Sequence, residues 1–117
     1  MFQKDMKISL LLDFYGDILS ERRRSIIGMY YEEDLSLSEI AEETGISRQG
    51  VRDSIMKSVK ELEELEEKLH LAERFGRVRN QTDSIASMID KAVASEDISS
   101  ALPFLKEASE KLRQIDL

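Results

Sequence analysis

Residues 37–55 read LSEIAEETGISRQGVRDSI, and this stretch decides the fold. Gly45 stands where the chain must reverse, at a position that usually needs a positive φ. Ser38 and Ser47 are each placed to cap the start of a helix. The stretch therefore predicts a helix-turn-helix. An ordinary helical hairpin without a role in DNA binding stays open as the alternative.

Apolar residues at helical spacing mark the inner face of the second helix of this motif. They are Val51, Ile55, Val59 and Leu62. Steps of three and four residues place them on one side of the helix, where they can pack against a core. In the first helix, Ala41 is small enough to let the second helix cross closely.

The side chains at the start of the second helix are candidates for reading DNA bases. They are Arg48, Gln49, Arg52 and Asp53. A helix-turn-helix places this part of its second helix in the major groove of double-stranded DNA. There an arginine can hold guanine, a glutamine can pair with adenine, and a carboxylate can accept from cytosine. Each arginine could instead form a surface ion pair with a glutamate of the motif.

A second group of residues is expected to contact DNA phosphates. Its members are Arg22, Arg23, Arg24, Ser38, Ser47, Lys57 and Lys60. The two serines would act through the backbone amides at helix N-termini, which bind anions. The arginine run could equally be a solvated helical face with ion pairs to nearby glutamates.

The composition of the 117 residues bounds the fold and the chemistry. One proline, five glycines and abundant Glu, Lys, Leu and Ile predict an all-α protein. There is no cysteine, and the single histidine, His70, has no partner at metal-ligand spacing, so we expect no metal site and no cofactor. No phosphate loop or nucleophile motif is present, so we do not expect an enzyme. No segment is apolar for long enough to span a bilayer, which predicts a cytoplasmic protein.

The net charge of −7 is unusual for a nucleic-acid binder, but its distribution matters more than its sum. Residues 1–60 carry nine basic and eleven acidic side chains, whereas residues 61–117 carry eight basic and thirteen acidic ones. The acid excess therefore lies mostly outside the predicted helix-turn-helix.

Two further helices are expected before the motif. Residues 6–19 carry an apolar stripe that predicts a helix, which Gly16 could end early. Ser20 is placed to cap the next helix, whose apolar face includes Ile26 and Tyr30.

After the motif, residues 47–94 are predicted to form either one very long helix or two helices joined near Gly76. Ser99 or Ser100 would cap a last helix, with Pro103 in its first turn. Its apolar stripe could fold back on the preceding helix or bind another subunit. We therefore expect a helix-turn-helix domain at residues 1–62 and a helical arm at 63–117, which would form a homodimer.

Three stretches resemble region 4 of the sigma-70 type factors: SERRR at 20–24, LSEIAEE at 37–43 and ISRQGV at 46–51. In that region, the positions that match Arg48, Gln49, Arg52 and Asp53 face the promoter. This chain has Gly50 at a position where region 4 usually carries a long polar side chain. It has Asp53 at a position where region 4 usually carries a neutral side chain.

The chain is more similar to the YlxM family of small bacterial proteins, through MYY at 29–31, SLSEIAEE at 36–43 and the glutamate-rich helix that follows. The resemblance is strong over residues 6–71. It implies a sigma-region-4-like helix-turn-helix domain with a long helix, and a DNA-binding regulator of transcription. Genes of that family lie beside those of the signal recognition particle, which implies a role in that pathway. An accessory protein of the particle that does not bind DNA is the alternative.

Overall fold

The computed structural model describes residues 6–116, and these residues form helices without any strand. The all-α fold predicted from the sequence is confirmed. The helices are α1 (Met6–Tyr15), α2 (Glu21–Tyr31), α3 (Leu37–Thr44), α4 (Arg48–Leu69), α5 (Leu71–Ala94) and α6 (Ile98–Arg113), with a 3₁₀ turn (Gly16–Ile18) after α1. The chain divides into a first compact unit that ends at Ala72 and a second that begins at Glu73. No helix within residues 6–116 is long and apolar enough to cross a membrane.

The first unit is built around α4, against which α1, α2 and α3 all pack. Of the predicted inner face of α4, Val51, Ile55 and Leu62 are fully buried and Val59 is half-buried. Burying one such aliphatic side chain contributes about 1.5–3 kcal/mol. The side chains that α1, α2 and α3 bury fully in the same core include Leu11, Tyr15, Ile27, Tyr30 and Ile40.

Serine hydroxyls cap three helices of the first unit. Ser20 and Ser47 cap α2 and α4, as predicted. The prediction that Ser38 caps α3 is wrong, because the N-cap is Ser36. Its hydroxyl accepts from the Glu39 amide, and the Glu39 carboxylate accepts from the Ser36 amide, both at 3.1 Å. This reciprocal pair of hydrogen bonds satisfies two backbone amides at the start of α3. Ser38 could not form such a pair, because the residue three positions later is Ala41, whose side chain has no hydrogen-bond acceptor.

The turn of the helix-turn-helix depends on Gly45, as predicted. Its φ is 76°, in the left-handed region, and its amide donates to the Ala41 carbonyl at 2.9 Å. A Cβ added at Gly45 would meet no atom within 4 Å, so the φ angle alone favours glycine. The left-handed residue ends α3 and lets α4 begin three residues later.

The helix that follows the motif is interrupted at His70, not near Gly76. His70 has a φ of 56° and separates α4 from α5, whereas Gly76 lies inside α5. The Tyr15 hydroxyl accepts from the Leu71 amide at 3.1 Å, and a Glu66 carboxylate oxygen accepts from the Ala72 amide at 3.0 Å. These contacts cap the first turn of α5 and satisfy amides that a helix start leaves unpaired. Within residues 6–116, Gly76 has no such capping contacts, so the helix is interrupted at His70, where they are present.

In the second unit, α6 follows α5 after a short turn and packs against it. Lys111 donates to the Ser84 hydroxyl at 3.1 Å, and the buried side chains are Ile85, Ala92 and Ala108. The hydrogen bond from Lys111 to Ser84 shows that α6 folds back on α5. Ile89 and Val93, further along α5, are exposed.

The start of α6 differs from the prediction. Its N-cap is Asp97 and not Ser99 or Ser100, because the Asp97 carboxylate accepts from the Ser100 amide at 2.8 Å. This backbone hydrogen bond holds the pKa of Asp97 below its usual value. Since Asp97 starts the helix at Ile98, Pro103 falls in the second turn and not in the first.

Candidate nucleic-acid interface

The four residues predicted to read bases lie together on the first two turns of α4. Arg48, Gln49 and Asp53 are exposed, and Arg52 is half-buried. The Gln49 side-chain amide donates to the Asp53 carboxylate at 2.9 Å. This pair holds both side chains on the outer face of α4 and leaves the second N–H and the carbonyl oxygen of Gln49 for a base edge.

The charge at the start of α4 is the reverse of what stabilises a helix. The first turns of α2 and α3 contain Glu21 and Glu39, but the first turn of α4 contains no acid and begins with Arg48. A cation at this end opposes the helix dipole, whereas an anionic ligand complements it. The charges at the start of α4 therefore favour binding of an anion, although they do not stabilise the helix.

The charge of α4 also changes along its length. Residues 48–60 contain four basic side chains and one acidic one, whereas residues 61–69 contain five acidic side chains and one basic one. Lys57 and Lys60, predicted to contact phosphate, are exposed and belong to the basic half. A polyanion is attracted to the first four turns of α4 and repelled by the last two.

The arginine run at residues 22–24 does not act as one unit. Arg22 is exposed. The Arg23 Nε donates to the Ser58 hydroxyl at 3.1 Å, and its Nη1 donates to the Glu61 carboxylate at 2.8 Å. Arg24 lies 3.8 Å from the Asp17 carboxylate. A phosphate contact remains a prediction for all three, but the Arg23 guanidinium is held by α4.

The two serines predicted to bind phosphate stand at different helix starts. The Ser47 hydroxyl accepts from the Gly50 amide at 3.0 Å, and no acid lies in the first turn beyond it. Ser38 is the second residue of α3, next to the Glu39 carboxylate of the capping box. Because that carboxylate repels a phosphate, the start of α4 is the better anion site of the two.

Sequence reasoning missed the groups that position α2 on α4. Ser58 is fully buried and its hydroxyl accepts the hydrogen bond from Arg23, whereas the predicted inner face of α4 contains Val59 at this level and not Ser58. The spacing of Val51, Ile55, Ser58 and Leu62 carried that signal. The partner of Ser58 lies 35 residues away, so no local pattern could identify it.

We predict that Arg23→Ala lowers the free energy of unfolding by about 1–3 kcal/mol, because it leaves Ser58 and Glu61 without their charged partner. Arg22→Ala removes the same charge from an exposed position and is expected to change stability by less than about 0.5 kcal/mol. Urea unfolding followed by tyrosine fluorescence measures both. Equal effects of the two substitutions would show that the contacts of Arg23 do not stabilise the fold.

The tight turn at Gly45 and the exposed start of α4 define a helix-turn-helix protein. A family model described as "Putative helix-turn-helix protein, YlxM / p13 like" matches residues 2–102. A UPF0122 protein of Shouchella clausii is 40% identical over 112 residues, which cover 96% of this chain and 99% of that protein. A UPF0122 protein of Halalkalibacterium halodurans is 38% identical over 105 residues, 90% of this chain and 96% of that protein. The chain belongs to this UPF0122 family.

Proposed function

We propose that this protein binds double-stranded DNA through the first turns of α4 and regulates transcription without catalysing a reaction. The observation that carries the proposal is the start of α4, where Arg48 and Gln49 are exposed and the first turn lacks an acid. The matching family is one of helix-turn-helix proteins, which supports the same role. In this motif the start of the second helix enters the major groove.

The charge gradient of α4 sets how DNA would approach. Contact with phosphates is favoured beside Lys57 and Lys60 and disfavoured from Glu61 onwards. From Gln49 to Glu61 the helix rises about 18 Å, which approaches the width of a DNA duplex. The duplex would therefore cross α4 near its start, while the acidic turns stay outside the groove.

The second unit supports the homodimer that we propose. Two helices that pack against each other bury only the sides that face one another. On their other sides, α5 and α6 leave large apolar side chains exposed to solvent. These are Phe75, Ile89, Val93, Ile98, Leu102, Leu105 and Leu112. Val93 is 79% exposed and Ile98 is 77% exposed, far more than a packed helical arm requires. A second copy that packs on this face would form a four-helix bundle and would present two copies of the helix-turn-helix to two half-sites.

The DNA-binding test uses a duplex selected from a random-sequence pool, with fluorescence anisotropy as the measurement. Arg48→Ala should weaken binding by roughly 5- to 150-fold, the loss expected for one arginine on a base or phosphate. The matched control is Arg77→Ala, which removes the same charge from an exposed position of α5. Binding by the wild-type chain should also weaken linearly with the logarithm of the salt concentration, because phosphate contacts release counterions.

Two outcomes would contradict the DNA-binding proposal. One is that the full chain retains no duplex from the pool at low salt. The other is that Arg77→Ala weakens binding as much as Arg48→Ala does, since binding would then depend only on net charge. Circular dichroism of each variant shows that the fold is kept.

The dimer makes a separate prediction. Val93→Glu places a charge in the exposed apolar face and should convert the dimer to a monomer in light scattering at micromolar concentration, because a buried unpaired charge is unfavourable. Ser87→Glu adds the same charge at an exposed position of α5 that is already polar, and should leave the dimer intact. A wild-type chain that is monomeric at this concentration would remove the dimer from the proposal.

A second candidate function is that of an accessory protein of the signal recognition particle, as the YlxM resemblance implies. The net charge of −7 and the acidic half of α4 favour it, because they suit a basic protein partner better than DNA. This candidate predicts co-purification with the protein component of the particle, unaffected by Arg48→Ala. If the protein component of the particle does not co-purify with this chain, the accessory role is excluded.

A further inference from the structure

A groove of about 520 Å³ runs along α4 in the first unit, from Arg52 in the second turn of that helix to Glu67 near its end. We call it the α4 groove. Its floor is apolar and is formed by Ile8 of α1, Tyr31 of α2, and Ile55 and Val59 of α4. Met56 lines the same groove and is 52% exposed. The large apolar side chains that α4 exposes are Met56 and Leu69, and of these Met56 lines the groove. An exposed Met56 above an apolar floor is a feature that DNA binding does not explain.

Charges of opposite sign mark the two ends of the α4 groove. Arg52 lines one end, Lys60 lies between the two ends, and the three carboxylates of Glu63, Glu64 and Glu67 line the other end. Arg52 and Glu67 are fifteen residues apart on one helix, so the groove is about 22 Å long. That length matches four turns of a docked helix.

An amphipathic helix fits this combination of shape and chemistry. Apolar side chains at positions i, i+3, i+4 and i+7 of such a helix can fill an apolar groove, and methionine adapts to different partners. Three neighbouring carboxylates attract basic side chains, and the positive end of a helix dipole complements them. Arg52 complements the negative end of the same dipole.

We propose that the α4 groove binds an amphipathic helix of a partner protein. The bound helix carries basic side chains near its N-terminus and runs antiparallel to α4. Its N-terminus lies beside Glu63 and Glu67, and its C-terminus lies beside Arg52. The apolar floor and the acidic end of the groove lie outside the residues predicted to contact DNA, whereas Arg52 and Lys60 belong to both sites.

The probe is a synthetic amphipathic helix of about 15 residues made of leucine and lysine, added to the full-length chain. Met56→Gln should weaken its binding about tenfold, because it removes an apolar contact without adding charge. The matched control, Met6→Gln, makes the same change at an 83% exposed position that does not line the groove, and should leave binding unchanged. Both methionines are more than half exposed, so neither substitution should disturb the fold.

The charge of the site is tested by reversal. Glu63→Lys with Glu67→Lys should weaken binding of the leucine–lysine helix about tenfold and create binding of a leucine–glutamate helix. The control pair, Glu42→Lys with Glu43→Lys, makes the same change in net charge on the exposed surface of α3. A nitroxide at the N-terminus of the probe should broaden the amide resonances around Glu67 and spare those around Arg52.

Three results would overturn the proposal. The first is that Met56→Gln binds the probe as tightly as the wild-type chain does. The second is that the control pair, Glu42→Lys with Glu43→Lys, weakens binding as much as Glu63→Lys with Glu67→Lys does. If instead Met56→Gln converts an oligomer into a monomer in light scattering, the groove is occupied by a second copy of this chain. The nitroxide experiment decides orientation, and broadening around Arg52 would refute the antiparallel arrangement.

Discussion

Ile55→Ala is expected to lower the free energy of unfolding of the first unit by about 2–5 kcal/mol, among the largest effects of any single substitution in this chain. Ile55 is fully buried on the inner face of α4, where α1, α2 and α3 converge. Removing three carbon atoms there takes away transfer free energy and leaves a cavity that the surrounding helices fill only in part. Tyrosine fluorescence during urea unfolding is a specific measurement, because the three tyrosines lie in the first unit and the chain contains no tryptophan.

The next residue, Met56, provides the control for Ile55. Met56→Ala removes a side chain of similar size from the outer face of α4, where 52% of it is already exposed. Its expected effect on stability is less than about 1 kcal/mol, mostly through the small difference in buried area. Similar losses from the two substitutions would mean that α4 does not present the face we describe to the core.

The helix-turn-helix could be predicted because its signals are local. Gly45 ends α3, and its amide donates to the carbonyl of Ala41, four residues earlier. Ser47 starts α4, and its hydroxyl accepts from the amide of Gly50, three residues later. Both contacts are local, so both can be predicted from the sequence. The inner face of α4 follows from steps of three and four residues. Ser38 and Ser36 both precede α3, and only the reciprocal bond with Glu39 decides between them.

The break after α4 could not be predicted because its cause lies far away in the sequence. Tyr15 reaches Glu66 across 51 residues and Leu71 across 56, and these contacts fix the start of α5. No periodicity in residues 47–94 contains that information. Gly76 was the only local sign of a break, and glycine permits an irregular backbone without requiring one.

The candidate DNA interface was predictable in position but not in its hydrogen bonds. Arg48 and Gln49 follow Ser47 directly, so their exposure at the start of α4 comes from the motif itself. The different contacts of Arg22, Arg23 and Arg24 depend on how α2 packs against α4, which three consecutive arginines do not reveal. The same packing forms the α4 groove, because Tyr31 and Ile8 come from helices that the sequence could not place beside Val59.

Tyr15 joins the core to the start of α5, and its replacement is the second large effect that we predict. Tyr15 is 1% exposed, and its hydroxyl donates to Glu66 at 2.6 Å while it accepts from the Leu71 amide at 3.1 Å. Tyr15→Ala should lower the free energy of unfolding by about 3–5 kcal/mol, the range for a buried aromatic side chain. Tyr15→Phe keeps the ring and should lose about 1–3 kcal/mol, because it leaves the Leu71 amide without its partner.

The pH dependence separates the hydroxyl of Tyr15 from its ring. Burial, and then the hydrogen bond to Glu66, raise the pKa of Tyr15 above its usual 10.0. The folded chain therefore holds this proton more tightly than the unfolded chain does. The stability that the Tyr15 hydroxyl contributes is complete below pH 10.0 and is lost as the pH rises through the raised pKa. The difference in unfolding free energy between the wild-type chain and Tyr15→Phe should accordingly shrink above pH 10.0. A difference that stays constant through this range would show that the hydrogen bonds of the Tyr15 hydroxyl to Glu66 and Leu71 do not stabilise the first unit.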